Sequence, residues 1–86
     1  MPYITKQERQ YYDVPLEILK SIKTPGQLNY IFTMLAIAYL NNNTECYQSY
    51  NDILGALEGC KLELYRRKTA PYEDKKIKEN SDVYMS

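Results

Sequence analysis

Three observations predict an all-α fold for this chain of 86 residues. Ile53, Leu57, Cys60 and Leu64 recur at i, i+4, i+7 and i+11, the stripe of an amphipathic helix. Thr24-Pro25-Gly26-Gln27 combines an N-cap hydroxyl, a proline at the first helical position and a glutamine that can close a capping box. No stretch alternates apolar and polar residues with the period of two that a half-buried strand requires. The expected architecture is an oligomeric small helical bundle of three main helices plus a short C-terminal helix, because the chain is short of the size at which one core is comfortably stable. It is read as a single domain over residues 1–86, with 81–86 as a flexible tail.

Thr5-Lys6-Gln7-Glu8 predicts the first helix start, with the Glu8 carboxylate reaching back to the Thr5 amide. Asp13-Val14-Pro15 interrupts it, because proline lacks an amide donor and disfavours helical geometry in the residue before it. The helix either kinks there or restarts with Asp13 as cap and Pro15 in the first turn. Leu16, Ile18, Leu19 and Ile22 supply an apolar face as far as Lys23. From Thr24 the next helix carries Leu28, Ile31, Phe32, Leu35, Ala36, Ala38 and Tyr39, with Tyr30, Met34, Ile37 and Leu40 on other sides. A helix apolar on every side belongs at the centre of a bundle or under another subunit. Three asparagines, Asn41 to Asn43, end it, being poor helix formers that tolerate left-handed geometry.

Ser49 is the expected N-cap of the long helix, and Asp52 places negative charge near its positive end. Gly55 and Gly59 lie one turn apart, each at a cost of about 1 kcal/mol relative to alanine, which close approach of another helix or a ligand would offset. The helix is expected to close with Tyr65, Arg66, Arg67 and Lys68, before Ala70-Pro71. Thr69 or Ala70 would then precede a short polar helix over residues 71–79, with Glu73 and Asp74 at its positive end and Lys75, Lys76 and Lys78 nearer its negative end.

Composition narrows the function. Lys and Arg total 11 and Asp and Glu total 11, so the net charge is zero. Affinity for nucleic acid is built largely on neutralised phosphates and for an anionic membrane on basic clusters, so a neutral chain fits neither. The longest apolar run, residues 34–40, is too short to span a bilayer, and MPYITKQERQ does not resemble a signal peptide. Cys46 and Cys60 lack metal-ligand spacing and there is no histidine; two reduced thiols of a cytosolic chain are the favoured reading, with a structural disulfide as the alternative. Ten tyrosines against one phenylalanine and no tryptophan favour interfaces and ligand walls, where a flat apolar ring carries a hydroxyl.

No catalytic constellation is visible, and no cofactor or metal is expected. Glu58 and Glu63 are five apart and point in different directions, and there is no phosphate loop or nucleophile elbow. Anion binding has better support. Arg66 and Arg67 offer planar forks for phosphate, Lys75 and Lys76 add point charges, and Tyr65, Tyr72 and Tyr84 offer stacking faces for a base. The competing reading is that the basic run neutralises a helix C-terminus while Tyr65 fills a core edge. Gly55, Gly59, Tyr30, Met34 and Ile37 are the candidates for a subunit interface.

The segment KLELYRRKTAPYEDKKIKENSDVY, together with PYIT, TPGQLNY and YNDILGALEGCKLE upstream, resembles a family of small proteins of uncharacterised function found largely in tailed bacteriophages. Ser81 stands where that family commonly has glycine in an Asn-Gly-Asp-Val-Tyr tail, which argues against a left-handed turn there. The size, the helical pattern and the aromatic-plus-arginine cluster are also similar to phage sponges that sequester the cyclic nucleotides of CBASS and Thoeris defence. The resemblance implies a non-catalytic, homo-oligomeric protein in the cytoplasm of the infected bacterium, holding a small nucleotide without turning it over. The alternative is a phage adaptor that acts on a host or phage protein.

Overall fold

The computed structural model describes residues 4–84. Their regular structure is entirely helical. The elements are α1 (Lys6–Arg9) with a 3-10 turn (Gln10–Tyr12), α2 (Leu16–Ser21), α3 (Pro25–Asn42), α4 (Tyr47–Leu64), a π turn (Tyr65–Thr69) and α5 (Ala70–Asn80). The all-α expectation holds. The chain divides into two compact units, Met1–Ile53 and Leu54–Ser86, with the boundary inside α4.

In the first unit, local sequence devices set each boundary. Thr5 caps α1 by accepting the Glu8 amide at 3.2 Å. The return bond differs from expectation: Glu8 Oε1 accepts the Thr5 hydroxyl at 3.3 Å. At Pro15 the helix breaks and restarts, since Asp13 is extended and Pro15, at φ −53° and ψ 138°, precedes α2. Pro15 itself occupies the N-cap position, displacing Asp13 from the role the sequence assigned to it.

The capping box of α3 is complete. The Gln27 amide donates to Thr24 Oγ1 at 3.2 Å, and Gln27 Oε1 accepts the amides of Thr24 at 3.0 Å and Lys23 at 2.8 Å. Three orphan donors are thereby satisfied by two side chains, and Pro25 needs no partner at the first position. The asparagines end α3 without left-handed geometry: Asn43 is extended at φ −132°, and its side chain donates to the Tyr39 carbonyl at 2.8 Å.

The 18 residues of α3 include no Asp, Glu, Lys or Arg. Its large apolar side chains stay well exposed, from Tyr39 at 38% to Tyr30 at 65%, and Ile31, Ala36 and Leu40 are only half-buried. Among the described residues no hydrophobic side chain is fully buried. Helical hydrogen bonds and caps are thus in place while apolar surface, the usual driving force of folding, remains open to water.

The helix α4 begins two residues before Ser49, which corrects the expected cap. Ser49 sits inside the first turn, is the one buried polar residue among those described, and donates its hydroxyl to the Thr44 carbonyl. The helix also does not end before Ala70-Pro71. It passes through the π turn into α5, so residues 47–80 are continuously helical. After Asn80 the chain leaves the helix at Ser81, whose φ of 70° and ψ of 152° suit glycine better than serine. Its φ is positive but its ψ lies outside the left-handed helical region, so the left-handed turn doubted from the sequence is not formed at Ser81.

Candidate functional site

All seven sequence-predicted ligand residues belong to the second unit, and all but Tyr84 lie on the π turn or α5. The cause of the π turn is Pro71. In a regular α-helix its ring would clash with the carbonyl of residue 67, and it has no amide to donate. The Ala70 amide instead donates to the Tyr65 carbonyl, five residues back, and the wider turn accommodates the ring without ending the helix. Arg66, Arg67 and Lys68 are carried on this widened turn.

Glu63, one turn earlier, holds both guanidinium groups. Arg66 Nη2 lies 3.1 Å from both carboxylate oxygens and Arg67 Nε 2.7 Å from Oε2. The Glu63 side chain is 26% exposed and the arginines about 70%. Exposed pairs at i,i+3 and i,i+4 contribute about 0.3–0.5 kcal/mol each, so the arginines are loosely held and a phosphate could compete for them. Sequence reasoning had set Glu63 aside by comparing it only with Glu58. The signal was its spacing to Arg66 and Arg67, three and four residues on.

The remaining candidates are partly engaged in the same way. Lys76 Nζ lies over the Tyr72 ring at 5.5 Å from the centroid and pairs with Glu79 at 3.3 Å. One face of Tyr72 is thus covered by a cation rather than open to a base. The Glu73 carboxylate, as an acceptor near the Tyr65 phenol, raises that phenol above the ordinary range, because ionisation would set two negative charges together. Lys75 is exposed on α5. Tyr84 lies in the tail, 83% exposed, its amide bonded to Asp82 Oδ1 at 2.9 Å. The structure therefore gathers Tyr65, Arg66, Arg67, Tyr72, Lys75 and Lys76 along one continuous helical stretch and leaves Tyr84 beyond its end.

The proposed interface residues divide between the units. Tyr30, Met34 and Ile37 are exposed on α3. Gly55 is open, since a Cβ built there meets nothing within 4 Å, and Gly59 is half-buried on α4.

A second cluster, which the sequence reading missed, lies at the junction of α3 and α4 in the first unit. The Tyr39 hydroxyl donates to Asp52 Oδ2 at 2.9 Å, Gln48 Nε2 donates to Asp52 Oδ1 at 2.8 Å, and the Tyr50 hydroxyl donates to Glu45 Oε2 at 2.6 Å. Each carboxylate raises the phenol that donates to it. Cys46 Sγ is 3.5 Å from Ser49 Oγ, and that contact, followed by the backbone amides of Ser49 and Gln48, lowers the thiol below its ordinary range. The Ser49 hydroxyl has one proton and gives it to Thr44, so the amides are the steadier donors to sulfur. These contacts tie the loop to both helices. Cys46 and Cys60 are both free and exposed.

Among the described residues no helix is long and apolar enough to cross a membrane, and no group of three or more His, Cys, Asp or Glu is placed to hold a metal ion. A family model described as "Domain of unknown function (DUF6899)" matches residues 1–83. No curated protein matches the chain, and no solved structure does.

Proposed function

We propose that this chain, which belongs to the DUF6899 family, is a non-catalytic interaction module whose working surface is the uncharged, apolar helix α3. One observation carries this reading: 18 helical residues without a charge, set by a complete capping box, keep seven of their large side chains between 38% and 65% exposed. Monomeric soluble proteins rarely leave contiguous apolar surface of more than a few hundred Å² uncovered, and larger patches mark interaction sites. The capping box fixes where the helix starts, and the tyrosines supply rings that gain contact area at little entropic cost. This is the adaptor function of a helix that meets another polypeptide.

Amide hydrogen exchange tests the reading. In a dilute monomeric chain the α3 amides should exchange rapidly despite their helical bonds, because little apolar burial resists local opening. Slow exchange across α3 in a monomer would show a self-sufficient helix and contradict the proposal.

A second reading has its own observation. The π turn presents Arg66, Arg67 and Lys68 in succession beside Tyr65, with Glu63 as their loosely held counter-ion. A small nucleotide with two phosphates would displace Glu63 from the guanidinium groups and stack on Tyr65, so the module would sequester it without chemistry. The phage setting and the counter-defence role belong to this reading as proposals. So do the cytoplasm of the infected host and the pocket shared between subunits.

A further inference from the structure

We infer that the partner covering α3 is a second copy of this chain, with α3 as the element the copies share. The inference rests on the interaction reading above and names its partner. A partner surface bearing an unpaired Lys, Arg, Asp or Glu would have to desolvate that charge against a helix that offers no counter-charge. The partner must therefore be apolar and uncharged over a comparable length, and α3 itself meets that demand. The copies also carry no net charge to repel one another, with 11 basic and 11 acidic residues in each.

Area points the same way. A large side chain offers roughly 150–250 Å² when fully exposed. Leu28, Phe32, Leu35 and Tyr39 share one face of α3 and Tyr30, Met34 and Ile37 the opposite one, so each face presents on the order of 300 Å² per copy. Copies reach the ~800 Å² per partner of a standard interface only by covering α3 on both sides together with further apolar surface. Leu16, Ile18 and Leu19 of α2, in the same unit and 44% to 61% exposed, supply more apolar surface of the same kind. A foreign partner with a matching surface would leave its own apolar patch open whenever unbound. Self-association covers both patches in one event, which is how a chain too small for a secure core is commonly completed. Leu35, 62% exposed near the middle of α3, is the position where one substitution should matter most.

The test is sedimentation velocity of the full chain across a range of concentrations, beside Leu35→Asp and Val83→Asp. Val83 is 89% exposed in the tail, so its variant introduces the same charge on a residue that is not part of α3. The parent and Val83→Asp should sediment at twice the chain mass or more, and Leu35→Asp should fall to a single chain. A parent that stays monomeric at about 100 μM, or a Leu35→Asp protein that associates as the parent does, overturns the inference. The exchange experiment separates the two levels. A monomeric parent with a rapidly exchanging α3 overturns the second copy but retains the interaction reading, and a monomeric parent with a protected α3 overturns both.

Discussion

The helix α3 and the helical stretch from Glu63 to Glu79 solve opposite problems. Across α3 there is no charged residue, its start is held by a complete capping box, and its apolar surface is left open in the isolated chain. The second stretch is rich in charge, is linked internally by Arg66–Glu63, Arg67–Glu63 and Lys76–Glu79 pairs, and continues from α4 with no side-chain cap at α5. Local pairs of this kind tolerate water well, since each is worth a few tenths of a kcal/mol wherever it sits. Apolar surface contributes about 25 cal/mol per Å² only once it is covered. The charged stretch therefore draws on pairs within its own chain, and on the proposed reading α3 is completed by a partner.

The largest single-residue effect expected within one chain lies at the start of α3. Thr24→Ala removes the acceptor of the Gln27 amide and should cost about 1 kcal/mol, lowering the melting temperature by about 4–8 °C. Circular dichroism melts would measure it. An unchanged melt would mean that α3 is held by something other than its cap. That outcome would remove one side of the contrast.

Glu63→Gln sharpens the other side. Because the arginine pairs are exposed, the melt should move by less than about 1 kcal/mol in equivalent stability. Arg66 and Arg67 would then be released toward an added anion, and a thermal-shift screen with linear and cyclic dinucleotides should give a larger rise for the variant than for the parent. Equal, negligible shifts for both proteins would remove the nucleotide reading and leave α3 as the functional surface.

Much of the fold was legible because its determinants are local. Thr24 to Gln27 carry a complete start signal, and Pro15 breaks the chain where its missing amide and its ring require. Apolar spacing located the core of α4. Two features were not legible. Pro71 reads as a helix boundary by every local rule, and only the five-residue bond from Ala70 to Tyr65 shows how the helix passes it. Ser49 has the chemistry of a cap, but its hydroxyl serves the Thr44 carbonyl, a longer-range choice that local preference does not encode. The candidate site was legible as a list of residues. Its engagement by Glu63, Glu73 and Glu79 was not, although the spacings of Glu63 and Glu79 from their cations are ordinary helical ones.

If this chain gains much of its stability by covering α3 with another copy, as proposed, its unfolding depends on protein concentration. The most direct measurement is a set of circular dichroism melts of the full chain at about 2 μM and about 200 μM in the same buffer. Folding coupled to association makes the melting temperature depend on concentration by mass action. A rise of several degrees is expected at the higher concentration. Superimposable, cooperative melts would show that one chain holds its own structure and would contradict the proposal.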